Sequence, residues 1–378
     1  MGRIRHPHQE RPVPPHGSDR PPGGGRAGGH PHPPAPGDLV HRLRVLLPPG
    51  RGGHLPEQPD RRLGTQRTPG SRPGLGAAVT VGTVAGVRRG ACEVLVDGAD
   101  TTIHCSLAPD LAVVQKSAIA VGDRVELEER PDAEPLVIRV RPRRSLLSRP
   151  DPMDPGIQRA IAANIDIVVI VMATRRPTFK ARLIDRIHLA AHQGGARSAV
   201  VINKLDLADD RRRADIEAQL APYRDLDLPV VWTSTRTGAG IDALRDLLRG
   251  RTAALVGHSG VGKSSLINAL RDAEHVEVGA VRHKDGKGRH TTTFSALHRL
   301  PDGTWIIDTP GVRAFGLWGL DRDSLRKGFP EFDAYPCRYA DCAHDAEPEA
   351  DCGVKQAVAS GAINPARYDT YRRLLASL

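Results

Sequence analysis

The sequence predicts a multidomain protein with an all-β barrel of the OB type, an α/β domain built on a mainly parallel sheet, and a small, mostly helical C-terminal domain. Three observations support this prediction. Short β-branched runs broken by Gly and Asp occupy residues 77–140, Val/Ile runs alternate with helical segments in residues 157–320, and a Cys/His cluster begins at residue 337. We therefore expect a leader over residues 1–74 and domains over residues 75–144, 145–318 and 319–378.

The leader differs in composition from the rest of the chain. It contains 16 of the 32 prolines, no Phe, Tyr or Trp, and 12 Arg against 5 acidic residues. Such a segment buries too little apolar surface to offset its ordering entropy, so we expect it to be disordered. It has few serines and no amphipathic helical pattern, which favours a disordered tail or a mis-assigned start codon over a transit peptide.

The formal net charge of +10 comes mostly from this leader. The remainder has 42 basic and 39 acidic residues, a net charge of +3. The basic isoelectric point therefore says little about the folded part. No later apolar run is long enough to span a bilayer, so we expect a soluble, cytoplasmic protein with no membrane partner.

Five short strands are predicted in the barrel, in the stretches "VTVGTVAGV", "CEVLVDGAD", "TTIHCSL", "DRVELEE" and "LVIRVRP". We expect Cys92 and Cys105 to lie in its core. The surface aromatics that stack bases are absent here, so a docking module and an RNA-binding module remain equally open. The next stretch, "RVRPRRSLLSRP", is either a basic linker that meets phosphates or a solvated one. Its arginines are Arg139, Arg141, Arg143, Arg144 and Arg149.

The α/β domain is predicted from strands such as "IDIVVIVMA", "SAVVINK", "LPVVWTS", "TAALVG" and "TWIIDTPG", separated by helices such as "LIDRIHLAAHQ" and "IDALRDLLRG". Continuous Val/Ile runs between helices indicate strands that are buried on both faces. In such folds ligands bind at the carboxyl ends of the strands, and the motifs below all fall there.

The stretch "GHSGVGKSS" has the spacing of a phosphate-binding loop between a strand and a helix. Its glycines let successive backbone N–H groups surround a phosphate, and the helix N-terminus adds its positive dipole. Lys263 is expected to neutralise the β- and γ-phosphates, and Ser264 to bind Mg²⁺. The candidate nucleotide-binding residues here are Gly257, His258, Ser259, Gly260, Val261, Gly262, Lys263, Ser264 and Ser265.

A second phosphate element is "IIDTPG". Asp308 ends a predicted buried strand, where its carboxylate can hold Mg²⁺ through water, and the Gly311 amide can contact the γ-phosphate. This short motif is weak evidence alone. Its position about 45 residues after the phosphate loop makes it strong evidence.

Base selection is predicted from "NKLD". The Asp206 carboxylate can accept from the N1–H and the exocyclic amine of guanine, a pair of donors that adenine lacks. Asn203 and Lys204 complete the motif, with Lys204 over the ring. Ser234, in "WTSTRTGAG", stands at another strand end, in the position of the backbone loop that supports guanine O6.

These motifs occur in an inverted order, with the base loop before the phosphate loop. The order is that of a circularly permuted Ras-like domain. Its pocket survives the permutation because the motifs meet in space, whatever their order along the chain. In this arrangement the second switch leads directly into the C-terminal domain, so nucleotide state can be transmitted there covalently.

The stretch "CRYADCAHDAEPEADC" offers three thiolates and an imidazole, enough for a closed tetrahedral zinc site. The loop-rich sequence around it has little apolar core of its own, so we expect the metal to fold it. The terminal helix either contacts RNA or packs, and it carries Arg367, Arg372 and Arg373. The predicted zinc ligands are Cys337, Cys342, His344 and Cys352.

The permuted order, "GHSGVGKSSLINAL", "GRHTTT", "DTPGVRAFGLW" and the Cys/His cluster together resemble the RsgA family of circularly permuted GTPases that depend on the small ribosomal subunit. The resemblance covers residues 77–378. It implies an OB barrel, a permuted GTPase domain and one structural zinc ion, with GTP and Mg²⁺ bound. It also implies GTP hydrolysis stimulated by the small subunit during late assembly, rRNA binding and a monomer. The alternative is a GTP-dependent RNA-binding scaffold with incidental hydrolysis.

Two departures bear on that expectation. Val312 stands where Ras-like enzymes have the Gln that orients the attacking water, and valine cannot polarise water. The resemblance implies that His290 takes this role, although a solvated loop histidine is the alternative. Thr291 or Thr292 is expected to bind Mg²⁺ and the γ-phosphate, with Thr292 the candidate ligand. The gap between His344 and Cys352 is two residues longer than the family's usual spacing, which leaves the fourth zinc ligand open.

Overall fold

The computed structural model describes residues 80–114, 118–272, 295–311 and 315–378. The expected leader lies outside these residues, and so do Val312 and the switch residues His290, Thr291 and Thr292. None of the helices in the described ranges is long and apolar enough to cross a bilayer.

The first five strands close into a barrel. They pair in the order β1–β2–β3–β5–β4, and β4 returns to pair with β1. A short helix, α1, follows β3. The predicted OB-like barrel is therefore confirmed. The elements are β1 (Thr80–Arg88), β2 (Ala91–Val96), β3 (Thr102–Leu107), α1 (Pro109–Val113), β4 (Arg124–Glu128) and β5 (Leu136–Val140).

The barrel interior is small and apolar. Val84, Val94 and Val125 pack there around Cys92 and Cys105, all fully buried. Burial raises the pKa of Cys92 to about 12 and that of Cys105 to about 11. Both thiols are thus protonated core residues, as predicted.

The basic stretch after the barrel is ordered and ion-paired. Its second half is strand β6, which forms an antiparallel hairpin with β7. The Arg143 guanidinium donates to the buried Asp123 carboxylate over 2.7 Å. Arg141 and Arg144 also form ion pairs within the chain, with side chains that are 42% and 64% exposed. The hairpin strands are β6 (Leu146–Pro150) and β7 (Gln158–Ala163).

The α/β domain has the sheet order β10–β9–β8–β11–β13–β12. Neighbouring strands are parallel except that β12 runs antiparallel to β13. The mainly parallel sheet is confirmed. Its strands are β8 (Ile167–Ala173), β9 (Arg197–Asn203), β10 (Val230–Trp232), β11 (Thr252–Val256), β12 (Ala296–Arg299) and β13 (Trp305–Asp308).

Helices cover both faces of this sheet. Buried residues of α2 and α3 pack on one face, and those of α4 and α5 on the other. Every residue of β8 is buried, which explains its unbroken apolar run. The helices are α2 (Ala181–Gln193), α3 (Asp210–Arg224), α4 (Ile241–Leu248) and α5 (Lys263–Asp272).

The barrel and the sheet are joined through their backbones. Strand β12 pairs antiparallel with β1, with Ala296 opposite Gly86, so that eleven strands form one continuous sheet. A parallel bridge between Val121 and Ala162 also connects the barrel region to β7 of the hairpin. The barrel is therefore fixed to β12, the edge strand of the α/β sheet.

The C-terminal residues form a small helical unit around aromatic side chains. Phe329, Phe332 and Tyr371 pack together with ring centroids 5.1–5.4 Å apart. Leu189 of α2 belongs to the same core, so this unit rests on the α/β domain. Its helices are α6 (Arg322–Lys327), α7 (Gly353–Ala359) and α8 (Pro365–Leu375), with 3-10 turns at Pro330–Ala334 and Glu349–Asp351.

Candidate nucleotide site and metal centre

The phosphate loop connects the end of β11 to the start of α5. Lys263 is buried, and its ammonium donates to the carbonyl of Gly257 over 3.1 Å and approaches that of His258 at 3.4 Å. Burial lowers the pKa of Lys263, against the opposing effect of Asp308. The charge thus lies inside the curve of the loop, where a β- or γ-phosphate is bound in such folds.

Two magnesium candidates are adjacent. The Ser264 hydroxyl donates to the Asp308 carboxylate over 3.1 Å. Asp308 is the last residue of β13 and is buried, whereas Ser264 is exposed at the start of α5. A hydroxyl beside a carboxylate suits a hydrated Mg²⁺ that contacts the hydroxyl directly and the carboxylate through water.

Gly311 lies against the phosphate loop. A Cβ at this position would stand 2.7 Å from the Cα of Ser259, so no larger residue fits without a shift of backbone. This close approach places the Gly311 backbone directly against the phosphate loop.

Asn203 ties the base loop to the phosphate loop. It ends β9, is buried, and donates from Nδ2 to the carbonyl of Val261 over 2.9 Å. Its Oδ1 accepts from the Thr233 hydroxyl at 3.2 Å. Gly262 has a φ of 100°, and a Cβ there would lie 2.4 Å from Nδ2 of Asn203. The glycine is therefore required by both its conformation and this neighbour.

Lys204 makes a second connection between the same loops. It adopts a left-handed conformation with φ 62°, and its ammonium donates to the carbonyls of Gly260 and Arg176. Its own carbonyl accepts from the Thr174 hydroxyl over 2.6 Å. The aliphatic part of Lys204 thus crosses from the base loop to the phosphate loop.

The Asp206 carboxylate, predicted to select the base, is held by its neighbours. The Ser234 hydroxyl donates to Asp206 over 2.6 Å, and the Arg236 guanidinium lies 3.8 Å from the second oxygen of that carboxylate. The Ser234 N–H donates to Ala239, 2.9 Å away. The next N–H, that of Thr235, meets no acceptor among the described residues. Sequence reasoning did not identify the Thr235 N–H as an available donor, although the place of Thr235 directly after the strand-end serine is the signal for it.

The predicted motifs are thus brought to the carboxyl ends of β9, β10, β11 and β13. Hydrogen bonds join base loop to phosphate loop, and phosphate loop to the end of β13. Ser265 lies exposed in the first turn of α5. His290, Thr291 and Thr292 lie outside the described residues.

The cysteine and histidine cluster is compact. The donor atoms of Cys337, Cys342, His344 and Cys352 all lie within 4.8 Å of one another. Nδ1 of His344 is 3.4–3.5 Å from each sulfur, and two of the sulfurs are 3.8 Å apart. Metal–sulfur bonds of about 2.3 Å in a tetrahedron give sulfur–sulfur edges of about 3.8 Å. The cluster therefore fits a tetrahedral metal ion such as zinc.

The longer loop before Cys352 is absorbed by its own hydrogen bonds. The Glu347 carboxylate accepts from the N–H groups of Ala343 and Asp345, and the Lys355 ammonium donates to two carbonyls of the loop. A 3-10 turn then returns the chain to Cys352, which is fully buried. The extra residues thus leave the fourth donor within the cluster.

Known proteins match this arrangement. The RsgA GTPase family model matches residues 140–318. The small ribosomal subunit biogenesis GTPase RsgA of Haemophilus influenzae is 40% identical over 268 residues, which cover 69% of this chain and 76% of that protein. Its counterpart in Chlorobaculum parvum is 38% identical over 301 residues, covering 76% and 95%. The chain belongs to the RsgA GTPase family.

Solved structures agree with this assignment. YjeQ from Thermotoga maritima superimposes with a TM-score of 0.61 at 30% identity, covering 80% of this chain and 99% of that one. YloQ, described as a circularly permuted GTPase, gives a TM-score of 0.56 at 26% identity, covering 81% and 97%. The predicted resemblance to the RsgA family and the permuted motif order are confirmed, and the chain is a GTP hydrolase.

Proposed function

We propose that this RsgA-family GTPase acts in late maturation of the small ribosomal subunit, binds its rRNA as a monomer in the cytoplasm, and is stimulated by that subunit. The nucleotide part of this proposal rests on the hydrogen bond between Asn203 and Val261. This bond joins the base loop to the phosphate loop, although the two residues are 58 positions apart in the chain. The name of the relatives that are 38–40% identical supports the ribosomal part.

In this pocket Asp206 binds the N1–H and exocyclic amine of guanine. Ser234 orients that carboxylate and uses its own N–H within the protein, so the Thr235 N–H is our candidate donor to guanine O6. Lys263 and the N–H groups of residues 257–265 bind the phosphates. Ser264 and Thr292 bind Mg²⁺, with Asp308 acting through water.

His290 is our candidate for the group that orients the attacking water. The position after Gly311 is Val312, which has no hydrogen-bonding side chain. A histidine within a switch can be brought to the γ-phosphate when that switch closes on a partner, which accounts for stimulation by the subunit. Replacing His290 with Ala should reduce turnover by at least about tenfold while GTP affinity is retained.

The remaining domains take the proposed partner-binding roles. The barrel, residues 75–144, and the C-terminal domain, residues 319–378, flank the GTPase domain, residues 145–318. One zinc ion on Cys337, Cys342, His344 and Cys352 stabilises the C-terminal domain. Gly311 precedes that domain in the chain, so switch movement can reach it without a separate relay.

The second candidate function is a GTP-dependent RNA-binding scaffold in which hydrolysis is incidental. The presence of Val312 in place of a water-orienting Gln favours it, since an intrinsically slow enzyme serves a binding role equally well. The two candidates differ in whether the subunit accelerates hydrolysis.

Steady-state GTP hydrolysis by the full chain, alone and with purified small or large subunits, separates them. Our proposal requires acceleration by small subunits only, and loss of that acceleration in His290→Ala. Equal rates with and without either subunit would favour the scaffold.

A further inference from the structure

A cleft of about 790 Å³ lies between the barrel and the parallel sheet. One wall is the turn between β2 and β3, residues 96–100, and the other is formed by the start of β13 and by β12. Thr252 and Trp305, the first residues of β11 and β13, contribute to it. The GTP motifs follow the last residues of the same strands, so this cleft is at the opposite end of the sheet.

An aromatic ring and a guanidinium line the sheet wall. Trp305 and Arg299 are cross-strand neighbours, and the Arg299 guanidinium carbon lies 5.5 Å from the centroid of the indole ring. The indole is only partly buried, and its N–H meets no acceptor within the described part of the chain. The indole and the guanidinium that lies over it thus line the cleft together.

Three exposed arginines supply positive charge. The side chains of Arg141, Arg144 and Arg299 are 42%, 64% and 55% exposed. Each forms an ion pair within the chain, yet a guanidinium has five N–H donors, and these pairs use only part of that capacity. The pair of Arg299 with Asp100, at 3.6 Å, is too long for a hydrogen bond. Donors thus remain for an anionic group.

The barrel wall supplies acceptors of a different kind. The Asp97 carboxylate is neutralised by two hydrogen bonds from Arg124. The Asp100 side chain is 96% exposed at the mouth of the cleft. An exposed carboxylate accepts from exocyclic amino groups of bases, as it does in nucleic-acid complexes. The cleft therefore combines a stacking surface, phosphate-binding cations and an acceptor for a base edge.

We propose that this cleft binds one unstacked nucleotide of a single-stranded RNA, with its base against Trp305 and its phosphate toward Arg141 and Arg144. The volume suits a ligand of this size, since ligand clefts enclose roughly 300–1,000 Å³. OB folds usually bind nucleic acid on the face of strands 2 and 3 and through the loops after strands 1 and 4. This site instead uses the β2–β3 turn and the adjoining domain.

The inference rests on the proposed rRNA binding and specifies one site for it. Its test uses the full chain and a fluorescein-labelled single-stranded RNA of about ten nucleotides, within the site size of OB folds. Binding is measured by fluorescence anisotropy. Trp305→Leu should weaken binding by roughly 5- to 150-fold, the range expected for loss of one stacked base. Arg299→Gln should also weaken it, because the substitution removes a positive charge from the cleft. Trp305→Phe keeps a ring and should retain most of the affinity.

Arg213→Gln is the matched control. Arg213 lies over Trp232 with its guanidinium carbon 5.7 Å from the ring centroid, an equivalent pair outside the cleft. This variant should bind the RNA like the wild type. Thermal unfolding of every variant verifies folding, and if Trp305→Leu is unfolded, Arg299→Gln decides the question.

Two results would overturn the inference. One is RNA binding that is absent in the wild type or equal in all variants. The other is full displacement of the RNA by an equal concentration of free CMP, which lacks the guanine that the GTP pocket selects; this result would assign the cleft to a small nucleotide. Small-subunit-stimulated hydrolysis is measured in parallel. If stimulation persists while the cleft fails these tests, the proposed function stands and only the placement of RNA is wrong.

Discussion

The side-chain amide of Asn203 donates a hydrogen bond to the backbone carbonyl of Val261 over 2.9 Å. The two residues belong to the base loop and the phosphate loop, which occur in the chain in the reverse of the usual order. Both are almost fully buried. This hydrogen bond, like that from Lys204 to the Gly260 carbonyl, joins the base loop directly to the phosphate loop.

Asn203→Ala should weaken GDP and GTP binding. The substitution leaves the Val261 carbonyl and the Thr233 hydroxyl without their partner, at a cost of about 1–3 kcal/mol for each unsatisfied buried group. We expect affinity to fall by at least about tenfold in a fluorescent-nucleotide titration. Asn164→Gly is the control, because it removes a hydrogen bond that the Asn164 side-chain amide donates to the carbonyl of Gly122 at the barrel junction. It should leave nucleotide affinity unchanged, and an equal loss in both variants would contradict this role.

Cys352→Ser should remove the metal. The wild type is expected to contain one zinc ion per chain, and the variant to contain much less, since a serine hydroxyl is a poor substitute for a thiolate. Because the metal joins a unit with a small core, the unfolding temperature should fall by roughly 10 °C. Cys92→Ala is the control, because it changes a cysteine of the barrel core outside the cluster. This variant should still contain one zinc ion per chain. Full zinc content in Cys352→Ser would show that the fourth ligand lies elsewhere.

Arg367 is a structural residue: this arginine of the terminal helix is packed inside the protein, whereas Arg372 and Arg373 are exposed. Its side chain is 3% exposed and donates to Asp185 over 2.6 Å, while a second nitrogen lies 2.7 Å from Glu331. Its guanidinium carbon also lies 4.2 Å from the centroid of the Phe329 ring. The residue thus connects α8 to α2 of the GTPase domain.

Arg367→Ala should destabilise the protein by about 3–5 kcal/mol, because it leaves the buried Asp185 carboxylate without its partner. Arg373, whose side chain is 61% exposed beside Asp369, provides the control. Its replacement with Ala should cost less than about 1 kcal/mol. Chemical denaturation measures both values. Similar stabilities for the two variants would contradict a structural role for the buried pair.

Acid should destabilise the protein partly through His188. Burial, with the nearby charges of Arg367 and His192, lowers the pKa of this imidazole from 6.5 to about 4. The unfolded state therefore binds a proton more readily, so the stability that His188 contributes is complete above pH 6.5 and is lost as the pH falls toward 4. The loss approaches about 3 kcal/mol.

His188→Gln removes this titration. Between pH 6.5 and pH 4 its free energy of unfolding should fall less steeply than that of the wild type, when both are measured by denaturant titration at each pH. Parallel curves would show that His188 is not kept neutral by the fold.

Local patterns predicted most of the fold and the motifs. The apolar run of β8 is complete because the strand is buried on both faces, and "GHSGVGKSS" carries the phosphate loop in one short stretch. The four metal donors likewise lie within 16 residues, so their clustering required no long-range information.

Long-range contacts were not predictable in this way. Arg367 resembles its exposed neighbours Arg372 and Arg373 in the sequence, and its partner Asp185 is 182 residues away. The pairing of β12 with β1 depends on how two domains meet, which no local pattern records. The same reason explains why Thr235 was missed, since only the hydrogen bond from Ser234 to Ala239 shows which backbone N–H is available.

The most direct test of the account is base selectivity in Asp206→Asn. An amide in place of the carboxylate directs N–H donors at the N1–H and the exocyclic amine of guanine, which are donors themselves. The same N–H donors can instead form a hydrogen bond with the second carbonyl of xanthine, which stands where guanine has its amine. In a competition titration against fluorescent GDP, the wild type should bind GDP at least about tenfold more tightly than XDP. The variant should bind XDP at least about tenfold more tightly than GDP. Unchanged preference for GDP would contradict base selection by the NKLD loop.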